Sequence, residues 1–162
     1  MNVRTNLGPS GIPLEKEVFH NFKLTYDKLV FELFDLFKDH GITLTQYDVL
    51  ETIKKASRTG LPLLKIGARM LSRQPDVTRI VDRLEDFGFV TRVRDTKDRR
   101  VVYVRLSRSG LALCEKIESS LLELHRDQFG HLSKSEMKLL NQLLIKTRDE
   151  ANSSKNRVPA SK

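Results

Sequence analysis

Between residues 14 and 40, apolar side chains recur at Val18, Phe22, Tyr26, Leu29, Leu33 and Phe37. A spacing of three or four predicts a long amphipathic helix, with Gly41 as its stop. Phe19, Val30, Phe31, Phe34 and Leu36 widen the apolar band beyond one core-facing stripe, so a partner subunit is the expected cover. Thr43 and Gln46 form a capping box, flanked by Ile42 and Tyr47 as a hydrophobic staple, and open a second helix over 43–56. After the turn "SRTG" a short third helix is expected over about 62–70, with Pro62 in its first turn. Gly67 inside it points to close approach of another backbone. The fourth helix, "PDVTRIVDRLEDF", places Pro75 near its first position and Asp76 against the N-terminal dipole. Val77, Ile80, Val81 and Leu84 form its buried stripe, and Gly88 follows its end.

Beyond Gly88 the period falls to two. Val93 alternates with Arg92 and Arg94, and Val102, Val104 and Leu106 alternate with Val101, Tyr103 and Arg105. This predicts a hairpin with "DTKD" at its tip. Ser107 then caps a fifth helix, with Leu113 or Cys114, Ile117, Leu121 and Leu124 at helical spacing. A second capping box, Ser133 with Glu136, has Leu132 and Met137 as its staple and opens a sixth helix. That helix should run to about residue 150 with Met137, Leu140, Leu143 and Leu144 inward. The expected fold is mainly α with a small β-hairpin wing. Residues 1–13 form a flexible arm, 14–150 one domain whose centre is 42–107, and 151–162 a disordered tail.

Charge adds direction to this layout. The chain carries a net +8, and between Lys55 and Arg108 there are 14 Lys or Arg against 6 Asp or Glu. The remainder has 15 of each sign. A neutral body with one basic segment has a directed electrostatic face, and double-stranded nucleic acid is its leading partner. An anionic membrane surface comes second, but the chain shows no basic amphipathic helix or lipidation motif, and no apolar run of spanning length. One cysteine, Cys114, and an N-terminus without a signal-like apolar run favour the cytoplasm. No nucleophile elbow, glycine-rich phosphate loop, HExxH motif or paired-carboxylate cluster supports an enzyme.

Two short helices joined by a turn and followed by a basic hairpin make a winged helix-turn-helix. Its second helix suits the major groove, and its hairpin suits phosphates or the minor groove. The stretch "VTRIVDRLEDFGFVTRVRDTKDRRVVYVRLSRSGLAL", 77–113, resembles the MarR family of transcriptional regulators, and "LTQYDVLETI" before it also fits. The resemblance implies a homodimer joined through the helices over 14–40 and 108–150. It also implies a pseudo-palindromic operator, usually repression, and release by a small effector. Carried over by position, "QPDVTR" opens the recognition helix, making Gln74, Asp76, Thr78 and Arg79 candidates for groove or phosphate contact. Many relatives have small hydroxyl residues where this chain has Pro75 and Asp76; Asp76 either orients a neighbouring arginine or caps the helix. In the wing, Arg94, Lys97, Arg99 and Arg100 match basic positions, and Asp98 is expected to hold an arginine through a charge-assisted hydrogen bond. The resemblance places an effector pocket where the first, second and fifth helices meet the DNA-binding lobe, near Tyr26, His40, Tyr47 and Arg69. An aromatic acid is the ligand class it suggests, although core packing explains Tyr26 and Tyr47 equally well.

Plainer roles compete at several positions. Asp82 and Arg83 suit surface ion pairs, while Arg92 and Arg105 either solubilise the sheet face or contact phosphate. Arg99 and Arg100 favour function, because a turn apex needs no adjacent cations to fold. Peroxide-sensing relatives use a reactive cysteine in the first helix, absent from 14–40 here, so Cys114 is expected to be a buried structural thiol. His20, His40, His125 and His131 show no i,i+4 pair, and neither a metal site nor a cofactor is expected. The rival to a DNA-binding regulator is a winged-helix module that binds protein instead.

Overall fold

The computed structural model describes residues 7–56, 59–70 and 76–155, with side chains to residue 149. Six helices and three short strands follow in the order α1 (Leu14–Asp39), α2 (Leu44–Lys54), β1 (Leu61–Pro62), α3 (Leu63–Arg69), α4 (Val77–Asp86), β2 (Val90–Arg94), β3 (Val102–Leu106), α5 (Arg108–Phe129) and α6 (Lys134–Lys155). Two compact units divide the chain, one up to Leu121 and one from Leu122 onward.

In the first unit the expected signals act as local physics requires. The Thr43 hydroxyl accepts from the Gln46 amide at 3.2 Å, and the Gln46 side chain accepts from the Thr43 amide at 2.8 Å. Both staple residues, Ile42 and Tyr47, are buried. Ser107 accepts from the Gly110 amide at 2.9 Å and so caps α5. Gly88, at φ +73°, ends the turn after α4 in the left-handed region, where glycine carries no Cβ penalty. Val49, Leu50 and Ile53 of α2, Ile66 of α3, Val81 and Leu84 of α4, and Cys114 and Ile117 of α5 meet in one core with Val90 and Val104 of the strands. Each such aliphatic burial stabilises the fold by about 1.5–3 kcal/mol relative to exposure.

Several expectations need correction. The hairpin is part of a three-stranded antiparallel sheet of order β1-β3-β2, with Leu61 opposite Val104. Pro62 therefore lies in a strand and at the N-cap of α3, and the helix is the shorter Leu63–Arg69. Among the described residues a Cβ on Gly67 would meet only the Val77 side chain, at 3.1 Å. A close backbone approach occurs at Gly110, where a Cβ would lie 2.0 Å from the Phe89 carbonyl oxygen. The fourth helix begins at Val77, after Asp76 as its cap.

The exposed apolar surface is larger than a single chain can use. In α1 Phe37 is buried against Tyr47, with ring centroids 5.1 Å apart. Toward its N-terminus Val18, Phe22 and Tyr26 are exposed, as are Phe19 (69%) and Phe31 (65%). In the second unit, Met137, Leu140, Leu143 and Leu144 of α6 are exposed rather than inward within the chain. The Ser133–Glu136 capping box starts this helix as expected. It continues to Lys155, so residues 151–155 of the expected tail are helical.

The pleat of the wing is offset from the expected pattern. Val90 pairs with Leu106, Arg92 with Val104 and Arg94 with Val102. Even-numbered positions therefore share the core-facing side, where Val90 is fully buried, while Val93 is exposed on the other side. Arg92 inherits this inward parity. Its Nη1 donates to Glu85 Oε2 at 2.7 Å, its Nη2 donates to Asp82, and its backbone amide donates to Glu85 Oε1 at 3.1 Å. Burial opposes its charge, but Asp82 and Glu85 outweigh that effect and leave its pKa raised. Arg92 thus fastens the wing to α4. Arg92→Ala removes both ion pairs and, because the two carboxylates can be rehydrated, should lower stability by about 1 kcal/mol in urea unfolding. Arg92→Lys should recover little, because an ammonium cannot make the two-pronged contact.

Candidate nucleic-acid interface

The first turn of α4 presents one set of candidates. Asp76 Oδ1 accepts from the Arg79 backbone amide at 3.2 Å, the N-cap bond that α4 needs. Its Oδ2 lies 3.1 Å from Arg79 Nε. Capping and orienting, posed as alternatives, are both performed by this one carboxylate. Thr78 and Arg79 are exposed, while Val81 and Leu84 hold the opposite face of α4 in the core. Gln74 lies outside the described residues, as does Pro75.

The wing tip presents the second set. Asp95 Oδ1 accepts from the amides of Lys97 (2.6 Å) and Asp98 (2.9 Å), closing the turn between β2 and β3. Asp98 Oδ1 accepts from the Arg100 amide at 3.0 Å, and the Asp98 carbonyl accepts from the Val101 amide at 2.9 Å. Asp98 therefore holds the main chain of Arg100, where a bond to an arginine side chain was expected. Both aspartates act as backbone acceptors, so they shape the tip without neutralising its cations. Arg94, Lys97, Arg99 and Arg100 are all exposed, and none is ion-paired among the described residues.

Some cations of the body are instead engaged by the fold. Lys54 pairs with Glu118 at 2.7 Å, Lys55 with Glu51 at 3.0 Å, and Lys23 with Asp27 at 2.9 Å. Arg105 Nε donates to the Thr59 carbonyl at 2.7 Å. The wing's unpaired charge is thus separate from what the fold consumes.

The four residues carried over for an effector pocket have the following surroundings. Tyr26 is exposed on α1 and stacks with Phe22 at 6.4 Å. His40 Nε2 lies 3.3 Å from the Ser120 hydroxyl. Tyr47 belongs to the core, where burial first and Glu51 second raise its hydroxyl pKa. Arg69 lines a cleft of about 380 Å³ with Asp48, Glu51, Thr52 and Lys55. Cys114 is buried, and desolvation pushes its thiol up to about 11, which keeps it protonated and poorly nucleophilic at neutral pH. Among the described residues no cluster of three or more His, Cys, Asp or Glu could hold a metal, and no helix is long and apolar enough to cross a membrane.

Asp95 was missed as a functional candidate, although an aspartate two and three residues before the amides it bonds is a known turn signature. Its pKa is lowered by the Asp98 amide first and the Lys97 amide second. A depressed pKa means these bonds contribute fully above the ordinary aspartate value of about 3.9 and are lost as pH falls through the folded-state value. In an NMR titration, the Lys97 and Asp98 amide shifts should hold steady down to that region and then move together below it.

Residues 42–102 match the MarR family. The uncharacterized HTH-type transcriptional regulator YkoM of Bacillus subtilis is 39% identical over 80 residues, spanning 49% of this chain and 51% of that protein. The MarR transcription factor from Planctomyces limnophilus has 32% identity and a TM-score of 0.63, covering 80% of this chain and 93% of that one. A mutant E. coli MarR complexed with operator DNA has 26% identity and a TM-score of 0.69, covering 81% and 93%. With the winged helix-turn-helix assembled and nearly the whole of a solved family structure matched, the chain belongs to the MarR family, whose members are transcriptional regulators and not enzymes.

Proposed function

We propose that this protein is a homodimeric regulator that binds a pseudo-palindromic operator in duplex DNA. The observation that carries the reading is the wing tip: four exposed cations, unpaired among the described residues, on a turn shaped by two aspartates. A fold needs no such arrangement, whereas a phosphate backbone does, because each neutralised phosphate releases counterions. The first turn of α4 would enter the major groove, with the wing tip on the flanking backbone or minor groove.

Two copies are proposed because α1 and, separately, α6 carry apolar side chains that the single chain leaves open. Paired recognition helices would meet half-sites about one helical turn apart, roughly 34 Å. A dimer seated across both half-sites excludes other proteins from that DNA, so repression is the proposed sign. Control by a small effector enters as a shift between dimer states that differ in recognition-helix separation. The Arg69 cleft gives no preference for an aromatic acid, since Asp48 and Glu51 offset Lys55 and Arg69.

Binding to duplex DNA, followed across salt concentrations, separates this function from a protein-binding module. Log affinity should fall with log salt, and replacing Arg99 and Arg100 together by Ala should flatten the slope by about 1.8, near 0.9 per lost phosphate contact. An unchanged slope would remove the wing from the interface. Sedimentation at micromolar protein should give the mass of two chains; a single-chain mass would reject the dimer.

A further inference from the structure

We propose that Asp76 is a specificity-determining residue, holding Arg79 so that its free guanidinium edge contacts a guanine in each operator half-site. The inference rests on the DNA-binding reading above and extends it to a base.

Both oxygens of the Asp76 carboxylate are committed to Arg79, one at the backbone amide (3.2 Å) and one at Nε (3.1 Å). Each oxygen thus already has a partner in Arg79, so a cytosine amino group, the base contact an acidic residue otherwise makes in the major groove, would have to compete with the arginine for the carboxylate. The guanidinium keeps its two Nη groups, and the side chain is 83% exposed at the start of the helix that enters the groove. That edge is a pair of parallel donors. In the major groove guanine offers two adjacent acceptors, O6 and N7, on one base. Adenine sets an acceptor beside a donor, thymine gives one acceptor, and cytosine gives a donor.

Charge argues against a phosphate as the target. A carboxylate beside Arg79 offsets its positive charge and would itself be repelled by the backbone, so the pair gains little from counterion release. The side chains of the wing cations are ion-paired with no carboxylate among the described residues and suit that role. At a neutral base edge the offset matters less, and a fixed orientation matters more. Asp76 therefore trades affinity for discrimination.

The test is selection of duplexes from a random pool, followed by affinity measurements on the selected site and on its single-base variants. The wild-type protein should select a guanine at one position of each half-site. Arg79→Ala should lose preference at that position by about tenfold or more while leaving the other positions unchanged. Asp76→Ser retains a helix-capping hydroxyl but is too short to hold Nε. It should relax the same guanine several-fold while matching or exceeding wild-type affinity for non-specific duplex. In an Arg79→Ala background it should add nothing. A guanine preference that survives Asp76→Ser overturns the inference, as does an Arg79→Ala loss spread evenly over all sequences, which would make Arg79 a phosphate contact. Either result leaves the DNA-binding reading standing. Absence of salt-dependent duplex binding by the wild-type protein would overturn that reading and the inference together.

Discussion

The interface depends on Arg92 lying between β2 and α4. A two-stranded wing has too little apolar surface to fix its own orientation, and Val90 and Val104 anchor only its base. The bonds to Asp82 and Glu85 tie the strand that leads into the tip to the polar side of the recognition helix. The distance between the first turn of α4 and the wing tip is then a property of the fold. Without that constraint each element would pay its own ordering entropy on binding.

Within the first unit, charge is divided by use. Lys54, Lys55, Arg92 and Arg105 are engaged internally, by carboxylates or by a carbonyl. Arg94, Lys97, Arg99 and Arg100 are not. Aspartate in the wing follows the same logic: Asp95 and Asp98 direct their carboxylates at main-chain amides, so the tip gains rigidity and keeps its cations. Arg79 is the intermediate case, exposed but held by the carboxylate that caps its helix.

Much of this was legible because the signals were local. Capping boxes at Thr43 and Ser133, the stop at Gly88 and the stripe on α4 each act within a few residues, and each appeared where expected. What escaped depends on distant partners. The strand at Leu61 exists because Val104 lies opposite it, and two residues carry no periodicity. Arg92 looked like a solvent-facing cation because Val93 was taken as the inward residue; counting from Val90 reverses the parity. The need for glycine at position 110 depends on the approach of the Phe89 carbonyl, which no local pattern announces.

The unpaired state of the wing cations has a consequence for descent. Because no ion pair among the described residues uses their side chains, substitutions at Arg94, Lys97 or Arg99 can accumulate after gene duplication without threatening the folded body. Arg92, Asp95 and Gly110 lack that freedom, since each is tied to main chain or to a neighbouring helix. New duplicates of this chain can therefore drift apart in the charge of the wing while remaining one recognisable shape.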